Sequence, residues 1–499
     1  MSRTIVLPFL VLLTAAAPGF AFELRACPAG INDTPALPLH LTQADILLMP
    51  FSEVFSAGQR LFVTDFNVCD GAGRPGTNGG VKPRTADPAL GPRFTRISGP
   101  DANSCAGCHN QPQPAGAGDF VANVFVLAQN ATPVSGTILS SDFTQTWLER
   151  NTLGMFGSGA IELLGREMTQ DLLNLQSQAR ARADSSGADV RVALVTKGVS
   201  FGSLTAHPDG STDASAVVGV DPDLIVKPFS RKGVMRSVRE FTVNAFNQHH
   251  GMQAVERFGE NTDPDGDGVA NELLVGDITA ATIFQAALPV PVRAPAEADV
   301  ETVQRGQRLF GQVGCGGCHV PALPLESTLF CDPDPLNPTT GPFATFNDPT
   351  QSYCFDLQET SGLRGNLVPA YTDLKRHVIC DVNKPQFCNE PAAPLQTSDT
   401  LEAVPNDEFL TAKLWDVGNS APWGHRGDLD TIYAAIVAHG GEAAAIEGDF
   451  EALAASDQSA VVAFLKTLEM PILAGDPAPQ RRSAPISFGI FGGPESEPR

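Results

Sequence analysis

The five-residue pattern Cys-x-x-Cys-His occurs twice in this chain, at residues 105–109 and 315–319. Two cysteines at this spacing form thioethers with the two vinyl groups of one haem, and the adjacent histidine then reaches the iron. A single copy could be chance, a zinc knuckle or a redox dithiol, whereas two copies in an exported chain are a strong indication of haem. The sequence therefore predicts two covalently bound c-type haems, with these cofactor-binding residues: Cys105, Cys108, His109, Cys315, Cys318 and His319.

The N-terminal segment predicts export. Arg3 precedes an apolar run over residues 5–13, and residues 19–21 form a small-x-small cleavage pattern, so residues 1–21 have the form of a signal peptide. The apolar run is too short to span a membrane. Because the thioethers of haem c are made outside the cytoplasm, we expect a periplasmic protein without a membrane span.

Composition excludes some partners and suggests others. The chain has 499 residues, a net charge of −23 and a pI of about 4.7. Such a charge argues against binding to nucleic acid or to anionic membranes. It fits a protein that attracts a basic partner, although an acidic balance by itself more commonly serves solubility.

Ten cysteines are present, and six of them lie outside the two motifs. An even remainder in an oxidising compartment indicates three disulfides. Six cysteines allow 15 pairings, and we favour the pairing of sequence neighbours: Cys27–Cys69, Cys331–Cys354 and Cys380–Cys388.

The sequence Gly-Gln-Arg-Leu-Phe precedes both motifs, at residues 58–62 and 306–310. This repeat predicts two diverged haem units, the first with an insertion over residues 63–104. A proline-rich stretch, residues 288–298, is the expected linker between an N-terminal domain (22–287) and a C-terminal domain (299–475), with a loose tail over 476–499. We expect two joined haem units with long loops, of which the N-terminal one carries insertions.

Two further segments contain candidate functional side chains. Glu162 lies among apolar residues after a glycine-rich stretch, where a desolvated carboxylate with a raised pKa could transfer protons. A helix-start glutamate or an arginine partner is the alternative. In residues 231–250, His249 or His250 could lie in a haem pocket, although a core histidine is the more common case. Arg236 or Arg239 could pair with haem propionates or form a solvated basic face.

Residues 261–272 match the oxygen-ligand spacing of a calcium loop. The candidate ligands are Asn261, Asp263, Asp265, Asp267 and Glu272. Gly268 replaces the usual apolar residue at the eighth position, and an acidic turn without calcium is the alternative. Bound calcium here would be structural.

Beyond the motifs, several blocks resemble the bacterial di-haem cytochrome c peroxidase superfamily, and within it the di-haem oxidoreductase family. The most specific are Ser-Ala-Pro-Trp-Gly-His-Arg-Gly at residues 420–427 and His-Gly-Gly-Glu-Ala at 439–443, with further similarity at 91–109, 150–168, 371–377 and 409–415. This resemblance implies a mainly α fold with long loops, built from two cytochrome c-like haem domains of which the N-terminal one carries insertions. It also implies one reactive haem and one haem that relays electrons. It also implies a small electron-transfer protein, a cytochrome or cupredoxin, as partner and allows a homodimer.

The resemblance assigns further roles, with some departures. It implies His377 as distal ligand of the C-terminal haem, with Tyr371 and His425 as alternatives, and Glu162 as the group that moves a proton during peroxide cleavage. Met155 or His250 could instead bind the N-terminal iron and thereby close it to external ligands. The chain lacks the family's methionine after His377. The peroxidases also place a tryptophan between the haems, ahead of the catalytic glutamate, whereas the nearest tryptophan upstream of Glu162 in this chain is Trp147.

The sequence thus predicts a peroxidase-like di-haem oxidoreductase that uses hydrogen peroxide or a small oxidisable substrate. An electron-transfer cytochrome with both irons closed is the first alternative. An enzyme that oxidises a partner protein is another, although the chain has only three Trp and three Tyr residues for a long-range route. A haem-based sensor is the last.

Overall fold

A computed structural model describes residues 27–73, 102–118, 122–124, 148–264, 266–295, 297–340, 343–388, 396–397, 403–405 and 407–472. Eleven α-helices lie within these ranges. They are α1 (Gln43–Leu48), α2 (Phe51–Val63), α3 (Ser158–Ser186), α4 (Val238–Ala245), α5 (Val255–Phe258), α6 (Val275–Ala286), α7 (Val300–Val313), α8 (Leu357–Thr360), α9 (Ile432–Val437), α10 (Ala444–Glu451) and α11 (Ala455–Leu465).

Short strands connect the helices. In chain order they are β1 (Ala122–Val124), β2 (Leu148–Arg150), β3 (Val190–Thr196), β4 (Val199–Ala206), β5 (Thr212–Asp213), β6 (Val292–Arg293), β7 (Leu323–Pro324), β8 (Leu329–Asp332), β9 (Tyr353–Asp356), β10 (Leu367–Val368), β11 (Arg376–Val378), β12 (Gln396–Thr397), β13 (Ala403–Val404), β14 (Glu408–Leu410) and β15 (Leu468–Glu469). Within the described ranges they form seven small antiparallel sheets: β1–β2, β3–β4–β5, β6–β15, β7–β10, β8–β9, β11–β14 and β12–β13.

The predicted fold class, a mainly α fold of two cytochrome c-like domains, is therefore wrong. The segments expected to be loops instead pair as two- and three-stranded ribbons. Hydrogen bonding between neighbouring extended segments satisfies backbone groups that a long irregular loop would leave to water. Several ribbons also join distant parts of the chain, as where β6 in the predicted linker pairs with β15 near residue 468.

Three apolar cores lie in the described part of the chain. The largest runs from Leu37 to Trp415 and includes residues on both sides of the predicted linker, such as Ile161 and Phe330. The second is built from residues 303–468 around Phe464. The third packs Phe62 and Phe284 with Met470. The predicted domain boundaries stay predictions.

The repeated Gly-Gln-Arg-Leu-Phe sequence forms the same helix crossing twice. In α2, a Cβ on Gly58 would lie 2.0 Å from the carbonyl oxygen of Ala280 in α6. In α7, a Cβ on Gly306 would lie 1.9 Å from the carbonyl oxygen of Ala460 in α11. Each crossing therefore needs a glycine, because any side chain would push the two backbones apart.

All three predicted disulfides are confirmed. Cys27–Cys69, Cys331–Cys354 and Cys380–Cys388 are bonded, and the four motif cysteines take part in no disulfide. The Cys331–Cys354 bond joins β8 to β9. The other two bonds join segments that lie outside helices and strands.

No helix among the described residues is both long enough and apolar enough to cross a bilayer, as predicted. The predicted signal peptide, the tail from 476, Trp147 and Asp265 lie outside the described residues.

Candidate functional site

The two Cys-x-x-Cys-His motifs adopt the same turn. Each begins with one turn of 3₁₀-helix, Cys105–Gly107 and Cys315–Gly317. The backbone N–H of His109 donates to the carbonyl of Cys105 at 2.9 Å, and that of His319 donates to the carbonyl of Cys315 at 3.0 Å. The two motifs therefore share one backbone conformation, as equivalent attachment sites require.

Both motif histidines are oriented as metal ligands. Nδ1 of His109 donates to the carbonyl oxygen of Leu153 at 2.9 Å, and Nδ1 of His319 donates to that of Tyr371 at 3.1 Å. This bond leaves Nε2 with a free lone pair. Burial lowers the pKa of each imidazole to about 4, so both rings are neutral at neutral pH and able to bind a metal.

The repeated helix crossing supports each imidazole. The ring of Phe62, at the end of the first repeat, lies 6.1 Å from the ring of His109, and Phe310 lies 6.5 Å from His319. Phe62 packs on Phe284 of α6, and Phe310 packs on Phe464 of α11. The sequence repeat therefore builds the same support behind two equivalent ligands.

One continuous cavity of about 460 Å³ borders both motifs. Its wall includes His109, His319 and three of the four motif cysteines, with mostly apolar side chains between them. Such a mainly apolar cavity with a few polar groups is typical of a cofactor site. The donor set, two thiols and one neutral imidazole at each end, fits two covalently attached haems.

A second histidine faces the C-terminal motif. The ring centres of His439 and His319 lie 6.4 Å apart. Two imidazoles on opposite sides of one metal, each bound at about 2 Å, need a similar separation of ring centres. Nδ1 of His439 donates to the carbonyl of Ala435 at 2.8 Å, which again leaves Nε2 for a metal. The sequence interpretation of His439 was that of a structural residue, although its place directly after a helix within the most specific resemblance block is a usable signal for a ligand.

His377, predicted as distal ligand, uses both ring nitrogens in other bonds. Nε2 donates to Asp373 and Nδ1 to Glu442, each at 2.9 Å. Burial opposes a charge on the ring, but the two carboxylates outweigh it and raise the pKa of His377 to about 11. His377 also lies beside the Cys318 sulfur, at 4.0 Å. It reaches an iron only by losing one of these bonds, so its ligand role stays a prediction without support from its geometry.

The two alternatives to His377 occupy different places. Tyr371 is buried on the support side, where its ring packs against Phe310 and Phe464. His425 is buried in the cavity wall with its ring 5.1 Å from that of Phe409.

At the N-terminal motif, two adjacent histidines, His249 and His250, both border the cavity. A single π-turn, Phe246–His250, follows α4. His250 donates from Nδ1 to the carbonyl of Ala102 at 2.6 Å and lies 3.5 Å from the Cys105 sulfur, on the attachment side. His249 borders the cavity, and its charge contributes to the lowered pKa of His109. Met155 also borders the cavity and follows the Leu153–Gly154 segment behind His109.

Glu162 lies in α3 and does not border the cavity. It is fully buried and ion-paired with Arg166, and its other oxygen accepts from the backbone N–H of Val238 at 2.6 Å. Burial raises its pKa to about 7, against the effect of Arg166. The arginine partner considered above is present, and the predicted catalytic role has no support from this position.

The predicted calcium loop is tied by its own backbone. The Asp263 carboxylate accepts from the N–H groups of Gly266, Asp267 and Gly268, and Glu272 accepts from that of Gln253. Among the described residues of this loop, no three carboxylates lie close enough together to bind one metal ion. Calcium binding by Asn261, Asp263, Asp265, Asp267 and Glu272 stays a prediction.

The basic groups at the cavity differ from those expected. Arg239 is fully buried between Glu256 and Asp332, and Arg236 donates to the carbonyl of Leu336. Neither borders the cavity. Arg231 and Lys413 do.

Comparison with known proteins is nearly uninformative. No protein-family model and no curated protein matches the chain. Among solved structures, a hydrazine synthase of Kuenenia stuttgartiensis aligns with 93% of this chain and 100% of its own, at 14% identity and a TM-score of 0.31. A score this low does not establish a common fold.

Proposed function

We propose that this protein is an exported di-haem c-type oxidoreductase, with a closed electron-relay iron at the C-terminal motif and a reactive iron at the N-terminal motif. One observation carries the proposal: two Cys-x-x-Cys-His turns with carbonyl-bonded, neutral histidines border one continuous cavity. Further support comes from the resemblance to the di-haem cytochrome c peroxidase superfamily, because Ser420, Trp423, His425, His439 and Ala443 from its most specific blocks line this cavity.

The residues of the two ends differ in what they can do. When bound, haem c supplies an iron that changes between the ferric and ferrous states. At the C-terminal end, His319 and His439 would hold the iron together, which would leave no position for an external ligand. Two histidine ligands would favour a lower potential than a histidine–methionine pair. This end therefore suits electron relay.

At the N-terminal end, His109 would be the proximal ligand, and the cavity wall includes the apolar side chains of Phe229, Val238 and Phe241. Apolar walls exclude water and leave room for a small molecule such as hydrogen peroxide. We therefore assign the reactive position to this end, with a one-electron donor protein as the reductant.

A pure electron carrier is the second candidate. Two observations favour it: His249 borders the cavity near His109, and Glu162 is held in an ion pair away from it. If His249 binds the N-terminal iron, both irons are closed and no peroxide chemistry follows.

Electron paramagnetic resonance separates these candidates. We expect the oxidised or half-reduced protein to show a high-spin ferric signal that disappears when peroxide is added. Two low-spin signals that peroxide does not change, with a high-spin signal appearing in His249→Ala, would identify a carrier. A pyridine haemochrome assay must first show two haems per chain, and one in Cys315→Ser.

The ligand assignment has its own test. His439→Ala should convert one low-spin signal to high spin and leave the other signal unchanged. His207→Ala is a matched control, because His207 is a partly exposed histidine that pairs with Asp189 outside the cavity. An unchanged low-spin signal in His439→Ala would remove this residue from the proposal.

A further inference from the structure

A short loop, residues 380–388, lies beside the proposed C-terminal haem site, and we call it the capping loop. The Cys380–Cys388 disulfide closes its base. Inside the loop, the backbone N–H of Lys384 donates to the carbonyl of Asp381 at 2.8 Å, and Pro385–Phe387 form one turn of 3₁₀-helix. The cross-link and these backbone bonds give the loop a defined shape although it is short.

The capping loop contacts His439 through one aromatic ring. Phe387 borders the cavity, and its ring meets that of His439 edge to face, with 4.9 Å between the two ring centres. Aromatic rings at such a distance and angle attract each other. The carbonyl of Ala435 in α9 accepts from Nδ1 of the same imidazole. The position of His439 is therefore set by contacts with α9 and with the capping loop.

The capping loop is also bound to the segment that follows His439. Lys384 forms an ion pair with Glu447 of α10 at 2.7 Å, and Glu447 is buried at the cavity wall. The backbone N–H of Gly440 donates at 3.1 Å to the carbonyl of Ile379, which directly precedes the loop. The loop is therefore fastened on both sides of the contact between its phenylalanine and the histidine.

We propose that the capping loop restrains His439 through Phe387 and thereby keeps the C-terminal iron closed to small external ligands. The inference rests on the proposed function, in which His439 is the second protein ligand of this iron. A small ligand such as cyanide binds a six-coordinate iron only after one protein ligand has left. Its apparent affinity therefore falls with the fraction of molecules in which His439 has left. Contacts that hold the imidazole in place keep this fraction small, so Phe387 is a positioning residue.

The capping loop also determines which of the two irons reacts. One continuous cavity borders both motifs, so a small molecule inside it is not confined to the N-terminal end. Without the restraint on His439, peroxide would have two irons to bind instead of one. The loop therefore keeps the two ends chemically different although they share one cavity.

The test is a cyanide titration of the oxidised holoprotein, followed by electron paramagnetic resonance. His439→Ala defines the signal and the cyanide affinity of an open C-terminal iron. In Phe387→Ala, we expect the apparent cyanide affinity of this iron to rise about 2- to 10-fold above that of the wild type, which corresponds to the loss of one edge-to-face aromatic contact. Phe51→Ala is the matched control and should leave the affinity unchanged, because Phe51 is a partly buried ring that packs on Phe355 outside the cavity wall.

A double variant separates positioning of the histidine from simple blocking of the cavity. If Phe387 acts through His439, Phe387→Ala should have no further effect on cyanide affinity in the His439→Ala protein. An equal rise in affinity in both backgrounds would mean that the ring only obstructs entry, and it would overturn the proposal.

A second variant loosens the capping loop without changing its charge. Cys380→Ser/Cys388→Ser opens the base of the loop and should also raise the cyanide affinity of the C-terminal iron, and it decides the question if Phe387→Ala does not fold. Wild-type affinity in the variants that fold overturns this inference and leaves the proposed function standing. An unchanged low-spin signal in His439→Ala overturns the ligand assignment of the proposed function, and this inference with it.

Discussion

The two glycines of α7 predict opposite effects for the same substitution. In Gly306→Ala the new methyl group would lie 1.9 Å from the Ala460 carbonyl oxygen, over an ångström closer than a normal contact, and the obstacle is backbone that cannot rotate away. Overpacking of this kind costs typically about 1–3 kcal/mol, and the upper end applies here. Alanine returns about 1 kcal/mol of helix propensity. The net expectation is a loss of about 2 kcal/mol in the free energy of unfolding.

Gly311→Ala is the matched control within the same helix. A Cβ at Gly311 has no atom within 4 Å, so only the propensity gain remains and the change should stabilise by up to about 1 kcal/mol. Urea unfolding followed by circular dichroism measures both variants. Because Phe310 supports His319, Gly306→Ala should also alter the spectrum of the C-terminal haem and leave the other unchanged. Equal unfolding midpoints for the two variants would refute the close crossing of α7 and α11.

Three further predictions concern charge and cross-links. Arg239→Met leaves buried carboxylates unpaired and should cost about 3–5 kcal/mol, whereas Arg191→Met, at an exposed position of β3, should change stability by less than about 0.5 kcal/mol in urea unfolding. Cys27→Ser opens a loop of 42 residues, and Cys380→Ser opens one of 8. The chain-entropy relation therefore predicts that the free energy of unfolding falls by about 4 kcal/mol in the first variant and about 2.5 kcal/mol in the second. A larger loss for Cys380→Ser in calorimetry would contradict this relation. His377 has a raised pKa in the folded state, so its stabilisation is complete below about pH 6.5 and is lost as pH rises through about 11. His377→Gln should therefore destabilise at pH 6 and matter less at pH 11, and a pH-independent difference in urea midpoint would count against the paired imidazolium.

Sequence reasoning succeeded where the chemistry is local. The motif spacing requires a particular turn, and both copies form it. The disulfides follow from an even count and short separations. The Gly-Gln-Arg-Leu-Phe repeat correctly indicated equivalent helices ahead of both motifs, because a glycine at a close crossing leaves a recognisable trace in sequence.

Sequence reasoning failed where contacts between distant parts of the chain determine the structure. Proline- and glycine-rich segments gave no periodic signal for the two-residue strands that join them, so the fold class was wrong. Apolar neighbours correctly indicated that Glu162 is buried, but Arg166 one turn later signals a helical ion pair. His439, Lys413 and Asp416 are brought together by chain crossings, and nothing in their local sequences places them at one cavity.

Because every cysteine outside the two Cys-x-x-Cys-His motifs is in a disulfide, the number of free thiols measures how far haem attachment has proceeded. With six cysteines in disulfides, the only thiols are the four of the two motifs. Thioether formation consumes two of them for each haem. An unfolded, unreduced sample should therefore alkylate at four sites without haem, at two after one attachment and at none when complete. Mass spectrometry of such a sample also shows which motif is filled first, and it identifies chains whose motif cysteines have oxidised to each other before a haem arrives.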